Sequence, residues 1–203
     1  MLQPGTHAPD FRVFSTDGTR VQLADFRGQR LVLFFFPRAF EAGGTLETRR
    51  FRDSAVALAE AGVALLGVSP DVHSRQCDFA RAERLSFPLV ADAEGTLCRA
   101  YAARSPLWPL VRSARRVTYV LDEAGRIEAT FGGAVFGGAV FGGAASGGAA
   151  RQVDAVLAYL ARPRPAAPRR LRTVAPLDAG ARLLRRAADE ARPRPSLRLV
   201  RPL

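Results

Sequence analysis

The sequence predicts an α/β domain over residues 1–161, with helices on both faces of a sheet, followed by a separate basic segment over residues 162–203. Three observations carry this. Apolar runs at 31–36, 63–69 and 116–122 are each long enough for a strand buried on both faces. Stretches with helical spacing follow the first two runs, and strand–helix–strand alternation implies parallel pairing with right-handed crossovers. The charge is divided: 18 Arg stand against 16 acidic residues in 1–161 (net +2), and 12 against 3 in 162–203 (net +9). The first part, with 48% hydrophobic residues in the chain as a whole, has the composition of a globular domain.

Each element has its own local reason. Residues 1–11 lack the basic region and apolar stretch of a signal peptide. Phe11, Val13, Val21 and Leu23 alternate around an Asp17-Gly18 turn, which predicts two short strands. The run 31–36 is the central strand, and Pro37, with no N–H for a ladder, ends it. A loop of small residues with Gly43 and Gly44 comes next. Thr45 and Glu47 then precede a helical pattern with Phe51, Ala55, Leu58 and Ala59 on one face. Such a strand, tight loop and helix start converge backbone N–H groups and the helix dipole on a reactive atom or an anion.

The run 63–69 is a second buried strand. Asp71 and Ser74 are candidate caps for a helix that gathers Val72, Gln76, Phe79 and Ala80 on one side. Residues 87–89 return to extended chain, and 94–103 form a short helix with Leu97 and Tyr101 inward. Residues 105–113 are a loop in which Trp108, between Pro106 and Pro109, lies at the core edge or on a contact surface. The run 116–122 is the third strand, and 123–125 a turn.

Residues 131–150 are low complexity, repeating FGGAV with a period of five and eight Gly in twenty. A flexible insertion is the expectation, not a membrane span, because each Gly disfavours helix by about 1 kcal/mol relative to Ala. The period also keeps Phe131, Phe136 and Phe141 off a common helix face. Residues 153–160 form an amphipathic closing helix. The Pro- and Arg-rich stretch from 162 is a linker into a largely disordered tail, with one candidate helix at 177–191.

The segment from 31 to 53, LVLFFFPRAFEAGGTLETRRFRD, resembles the active-site stretch of the peroxiredoxins, and most nearly the peroxiredoxin Q or bacterioferritin-comigratory type of the AhpC/TSA family. Pro37, Gly43, Thr45, Glu47, Phe51, Arg52 and Asp53 carry the match. Ala8-Pro9-Asp10-Phe11, Asp25-Phe26-Arg27-Gly28, Gly67-Val68-Ser69 with Asp71, Phe87-Pro88-Leu89 with Asp92, and Arg116 with Thr118 extend it in the right order. The resemblance implies a thioredoxin-like three-layer fold with a mixed sheet. It also implies thiol-dependent reduction of hydrogen peroxide and organic hydroperoxides, with a thioredoxin-like reductant and no cofactor or metal. It assigns Arg116 to the position that contacts the reactive sulfur and the peroxide.

At two positions the match fails. The family's Thr falls on Glu41, and its peroxidatic Cys falls on Gly44; the resolving Cys often found five residues later falls on Arg49. A peroxidatic Cys attacks the O–O bond as a thiolate, with its pKa lowered by cations and a helix start. Gly44 cannot be that nucleophile, and the charge of Glu41 would oppose a thiolate. A catalytically degenerate peroxiredoxin is therefore expected.

Two alternatives stay open. The chain's two cysteines, Cys77 and Cys98, form no disulfide framework or metal-ligand pattern, which fits a reducing cytoplasm. Either could be a substitute redox thiol, or simply a small apolar residue. Alternatively, the Arg-rich tail binds nucleic acid or another anion through phosphates. All 30 cations are Arg, which suits phosphate, although a compositional bias towards Arg and Ala gives the same pattern. His7 and His73 read as solvated or capping residues, since no Ser–His–Asp or metal-ligand spacing surrounds them. Arg116 has two readings: it binds an anion, or it pairs with Glu47 or Glu41.

Overall fold

The computed structural model describes residues 1–132 and 145–163. Within it, Met1–Arg162 forms one compact unit. The five-stranded sheet contains β3 (Arg30–Phe35), β4 (Val63–Ser69), β5 (Leu89–Ala91), β6 (Val117–Leu121) and β7 (Ile127–Gly132), in the order β5-β4-β3-β6-β7. Strands β3, β4 and β5 are parallel, whereas β6 and β7 are added antiparallel. The sheet is therefore mixed. A two-stranded ribbon of β1 (Arg12–Phe14) and β2 (Arg20–Gln22) forms a separate sheet, tied to β5 just past β1 by a Ser15–Val90 bridge and by the Thr16 N–H donating to the Leu89 carbonyl at 2.8 Å.

The period of two in β3 divides the core. Leu31, Leu33 and Phe35 face one side, with Phe11 just before β1, Val21 of β2, Leu97 of α3 (Thr96–Ala100) and its C-cap Tyr101. Val32, Phe34 and Phe36 face the other. They meet Phe51 and Leu58 of α1 (Ala42–Glu60), Phe79 of α2 (His73–Ala82), and Val153 and Val156 of α4 (Ala145–Leu160). Residues 31–36 are all buried, which is why this stretch reads as a continuous apolar run. Phe34 anchors the second core, with its ring centroid 4.6 Å from Phe51 and 5.9 Å from both Phe36 and Phe87.

Several expectations are corrected. Leu23 belongs to a 3-10 turn (Leu23–Phe26), not to a strand. Helix α1 begins at Ala42, so Thr45 and Glu47 lie inside it, and Ala59 is exposed because the helix has rotated it off the Phe51–Leu58 stripe. Val72 is also exposed, as the residue just outside α2. Neither Asp71 nor Ser74 caps α2, whose N-cap is Val72 without a side-chain bond. Strand β7 was not foreseen. Its Ile127, Ala129 and Phe131 do alternate, but a register shift between Val120 and Leu121 sends Ile127 to the first core, and Ala129 and Phe131 to the second.

Phe131 and Gly132 end β7, and residues from Ala145 onward belong to α4, so both ends of the low-complexity stretch are part of regular elements. The repeats between them, and the readings made for the basic segment, lie outside the described residues. Among the described residues no helix is long and apolar enough to cross a membrane.

Candidate active site at the start of the first long helix

The chain leaves the sheet at the carboxyl end of β3. Phe36 adds one more bond to β4, its N–H donating to the Val68 carbonyl at 3.0 Å, and Pro37 then closes the ladder. The turn from Arg38 to Glu41 is held from below by Asp71. Its Oδ2 accepts the Ala39 N–H at 2.6 Å and the Ser69 hydroxyl at 2.7 Å, and its Oδ1 pairs with Arg75 Nε at 3.1 Å. Arg75 Nη2 in turn donates to the Ala39 carbonyl at 3.0 Å. Asp71 is thus an anchor for this turn. The cap assignment failed because Asp71 has a better use: Ala39 is fully buried, and its N–H has to find an acceptor. Phe40 completes the turn at φ +65°, a region costly for a non-glycine residue, with its ring against Phe79 and under the Arg75 guanidinium.

Gly44 is the third residue of α1 and is buried. A Cβ there would stand 2.5 Å from the Arg38 carbonyl oxygen and 3.1 Å from Phe36 Cδ2. The turn has closed onto the helix because no side chain keeps it off. The Gly44 carbonyl accepts the Thr48 hydroxyl at 3.0 Å.

Glu47, one helical turn on, is fully buried. Strand β6 supplies its partner: Phe35 is in register with Val117, so Arg116 arrives beside the end of β3. Arg116 Nε donates to Glu47 Oε2 at 2.9 Å, and Glu47 Oε1 has no hydrogen-bond partner among the described residues. Burial pushes the Glu47 carboxyl up to about 7, against the opposing pull of the Arg116 guanidinium. Of the two partners foreseen for Arg116, the structure gives Glu47. Glu41 is turned outward, its carboxylate half exposed and 3.9 Å from Arg38 Nε. Its charge therefore bears weakly on position 44. Arg49 is also turned away, gripping Glu83 at 2.6 and 3.0 Å.

Neither sulfur is bonded to this site. Cys98, fully buried in the first turn of α3, donates its N–H to Asp92 Oδ2 at 2.7 Å. Burial first, and the Asp92 carboxylate second, push its thiol far up and hold it protonated. Cys77 is half-buried on α2. Its Sγ lies 3.3 Å from His73 Nε2 and 3.6 Å from the Thr16 carbonyl. It opens onto a cleft of about 570 Å³ between the β1–β2 turn and residues 84–88, with no lining residue from 37–47. His73, read from sequence as solvated or capping, is exposed and engaged with this thiol. The spacing of four on a helix was the signal that could have paired them. Both thiols are free, and no group of three or more potential metal ligands occurs among the described residues. His7 is exposed and bridges to Arg126, and Trp108 packs partly buried at the edge of the first core under Arg104.

Comparison with known proteins agrees with this architecture. The model of the AhpC/TSA family matches residues 4–130. Peroxiredoxin Bcp of Escherichia coli (strain K12) is 33% identical over 133 residues, covering 64% of this chain and 85% of the relative. Two solved structures superpose closely. Peroxidoxin BcpB from Mycobacterium tuberculosis has a TM-score of 0.67 at 27% identity, over 79% of this chain and 97% of that one. The bacterioferritin comigratory protein of Xanthomonas campestris has a TM-score of 0.65 at 25% identity, over 78% and 97%.

Proposed function

Because this chain belongs to the AhpC/TSA family, with a body of the Bcp or peroxiredoxin Q type, we propose that it keeps a thiol-peroxidase scaffold whose nucleophile position, Gly44, is empty and closed. The family reaction reduces a peroxide with a thiol, and a thioredoxin-like protein then restores the thiol. On this scaffold the start of α1, the Arg116 guanidinium and the Glu47 carboxyl remain. The observation that carries the reading is the Arg38 carbonyl, 2.5 Å from where a Cβ of residue 44 would stand. A thiol at that position would require the Arg38 backbone to move away. Arg116 spends its Nε on Glu47, so the pair is stable without a ligand.

The reading is tested by peroxide consumption with thioredoxin and its reductase, on the wild-type chain and on Cys77→Ser, with thiol mass spectrometry. The expected result is no turnover above the blank in either protein. Turnover that vanishes in Cys77→Ser would overturn the reading.

A second reading rests on one observation, the contact between Cys77 Sγ and His73 Nε2 at the mouth of an open cleft. A thiol beside an imidazole has a base to take its proton, after which the thiolate attacks a peroxide oxygen. The S–O bond forms as O–O breaks, leaving a sulfenic acid and an alcohol or water. In this reading Cys77 is a peroxide-sensitive thiol, and His73→Ala slows its oxidation.

A further inference from the structure

A second polar cavity opens on the far side of the same turn. It measures about 350 Å³ and is walled by three guanidinium groups, Arg38, Arg75 and Arg112, with Asp71 as the one carboxylate in its lining. These residues come from four places: the turn after β3, the segment after β4, the first turn of α2 and the loop before β6. Ala93, just past β5, completes the wall. The cavity therefore lies outside the carboxyl ends of the three parallel strands, where open α/β sheets bind their ligands.

The arginines are braced. Arg75 is fixed by Asp71 and by the Ala39 carbonyl, with its guanidinium 5.3 Å from the Phe40 ring centroid. Arg38 Nη2 donates to the Arg112 carbonyl at 3.2 Å, and Arg112 Nη1 donates to the Ala93 carbonyl at 3.2 Å. Among the described residues these contacts leave Nη1 of Arg38, Nη1 of Arg75 and Nη2 of Arg112 without an acceptor. Asp71 is already committed to Ala39, Ser69 and Arg75. The lining thus carries a formal net charge of +2, with Arg38 and Arg112 each also paired at 3.9 Å with an exposed carboxylate outside it. Glu41 and Glu94 stand outside the cavity, each 3.9 Å from an arginine and each half or more exposed, so they screen it little. Val72, the N-cap of α2, also lines the cavity, which sets the positive end of that helix against it.

We propose that this cavity is a binding site for a small phosphate-bearing molecule, held by Arg38, Arg75 and Arg112. A lining of net charge +2 suits a dianion, which a phosphomonoester supplies and a monocarboxylate does not. Planar guanidinium forks suit its tetrahedral oxygens. The volume leaves room for a small group esterified to the phosphate. The site does not depend on position 44, since none of its donors is Arg116 or Glu47.

The test is a titration of the full chain with inorganic phosphate, glycerol 3-phosphate and acetate, at an ionic strength held constant with chloride. Backbone amide NMR shifts of Val72 and Ala93 give the readout, so that phosphate on the basic tail is not mistaken for the site. Saturable shifts at both amides are expected, stronger for the two phosphates than for acetate. Affinity should be about tenfold weaker in Arg112→Gln, the loss of one charge-assisted contact. It should be abolished in the double variant Arg38→Gln/Arg112→Gln. Arg112 is exposed and Arg38 half-buried, each tied to one backbone carbonyl, so thermal melting of each variant is measured beside the titration to separate lost binding from lost folding. Absence of saturation at these amides, equal affinity for acetate, or unchanged affinity in the variants overturns the proposal. Peroxide turnover does not enter the readout, so either proposal can fail alone.

Discussion

At the scale of single residues, Glu47 is a carboxyl taken wholly out of water. It is buried, bound through one oxygen and unpartnered at the other. Burial outweighs Arg116 and pushes its carboxyl from 4.5 up to about 7. A carboxyl that titrates higher in the folded than in the unfolded state contributes its full stability below the unfolded value. That contribution is lost as pH rises through the folded value. Wild-type stability should therefore fall between about pH 5 and pH 7, with a slope of up to about 1.4 kcal/mol per pH unit from this group. Glu47→Gln should flatten the slope. Urea unfolding of both proteins across this range checks it, and parallel curves would place the titration on another group.

At the scale of elements, the turn between β3 and α1 decides what the site can hold. Gly44→Ala gains helix propensity of about 1 kcal/mol. It must also push back the Arg38 carbonyl of a turn locked by Asp71 and Arg75, and forced overpacking costs about 1–3 kcal/mol. The clash is with backbone, so it should win: the variant is expected to melt roughly 2–6 °C lower. For the same reason Gly44→Cys alone should not bring peroxide turnover. This replaces the sequence-based argument from Glu41, whose carboxylate points to solvent. A melting temperature equal to or above wild type, with rapid turnover in the Cys variant, would show that the turn yields easily.

At the scale of the whole molecule, the charge separates along the chain. The compact unit Met1–Arg162 carries a formal charge near neutral, and the remainder is strongly basic. A chain ending at Arg162 keeps every core residue found among the described residues, so it should unfold cooperatively near the wild-type temperature. Any DNA binding by the full chain should weaken steeply with salt, and should be lost in the shortened one. Unchanged, salt-insensitive binding after truncation would remove the Arg-rich tail as its source.

The sequence alone determined the three long buried strands, the Phe51–Leu58 stripe of α1, and the family, because those signals are local: a strand needs its own apolar residues and a helix its own spacing. It also fixed that position 44 has no side chain. Other features were decided only in three dimensions. Arg116 and Glu47 are 69 positions apart and meet through the register of β3 with β6. Asp71 looked like a helix cap because its neighbours in sequence suggested one, but the buried Ala39 N–H, 32 positions away, claims it. Strand β7 was masked by the glycine repeats that begin within it, and which core each of its residues meets is set by a register shift against β6. The arginines of the second cavity are unremarkable singly among thirty, and only the carboxyl ends of three parallel strands gather them. A chain writes its local preferences residue by residue, but long-range pairing depends on which buried polar groups compete for each partner, and that competition exists only in the folded molecule.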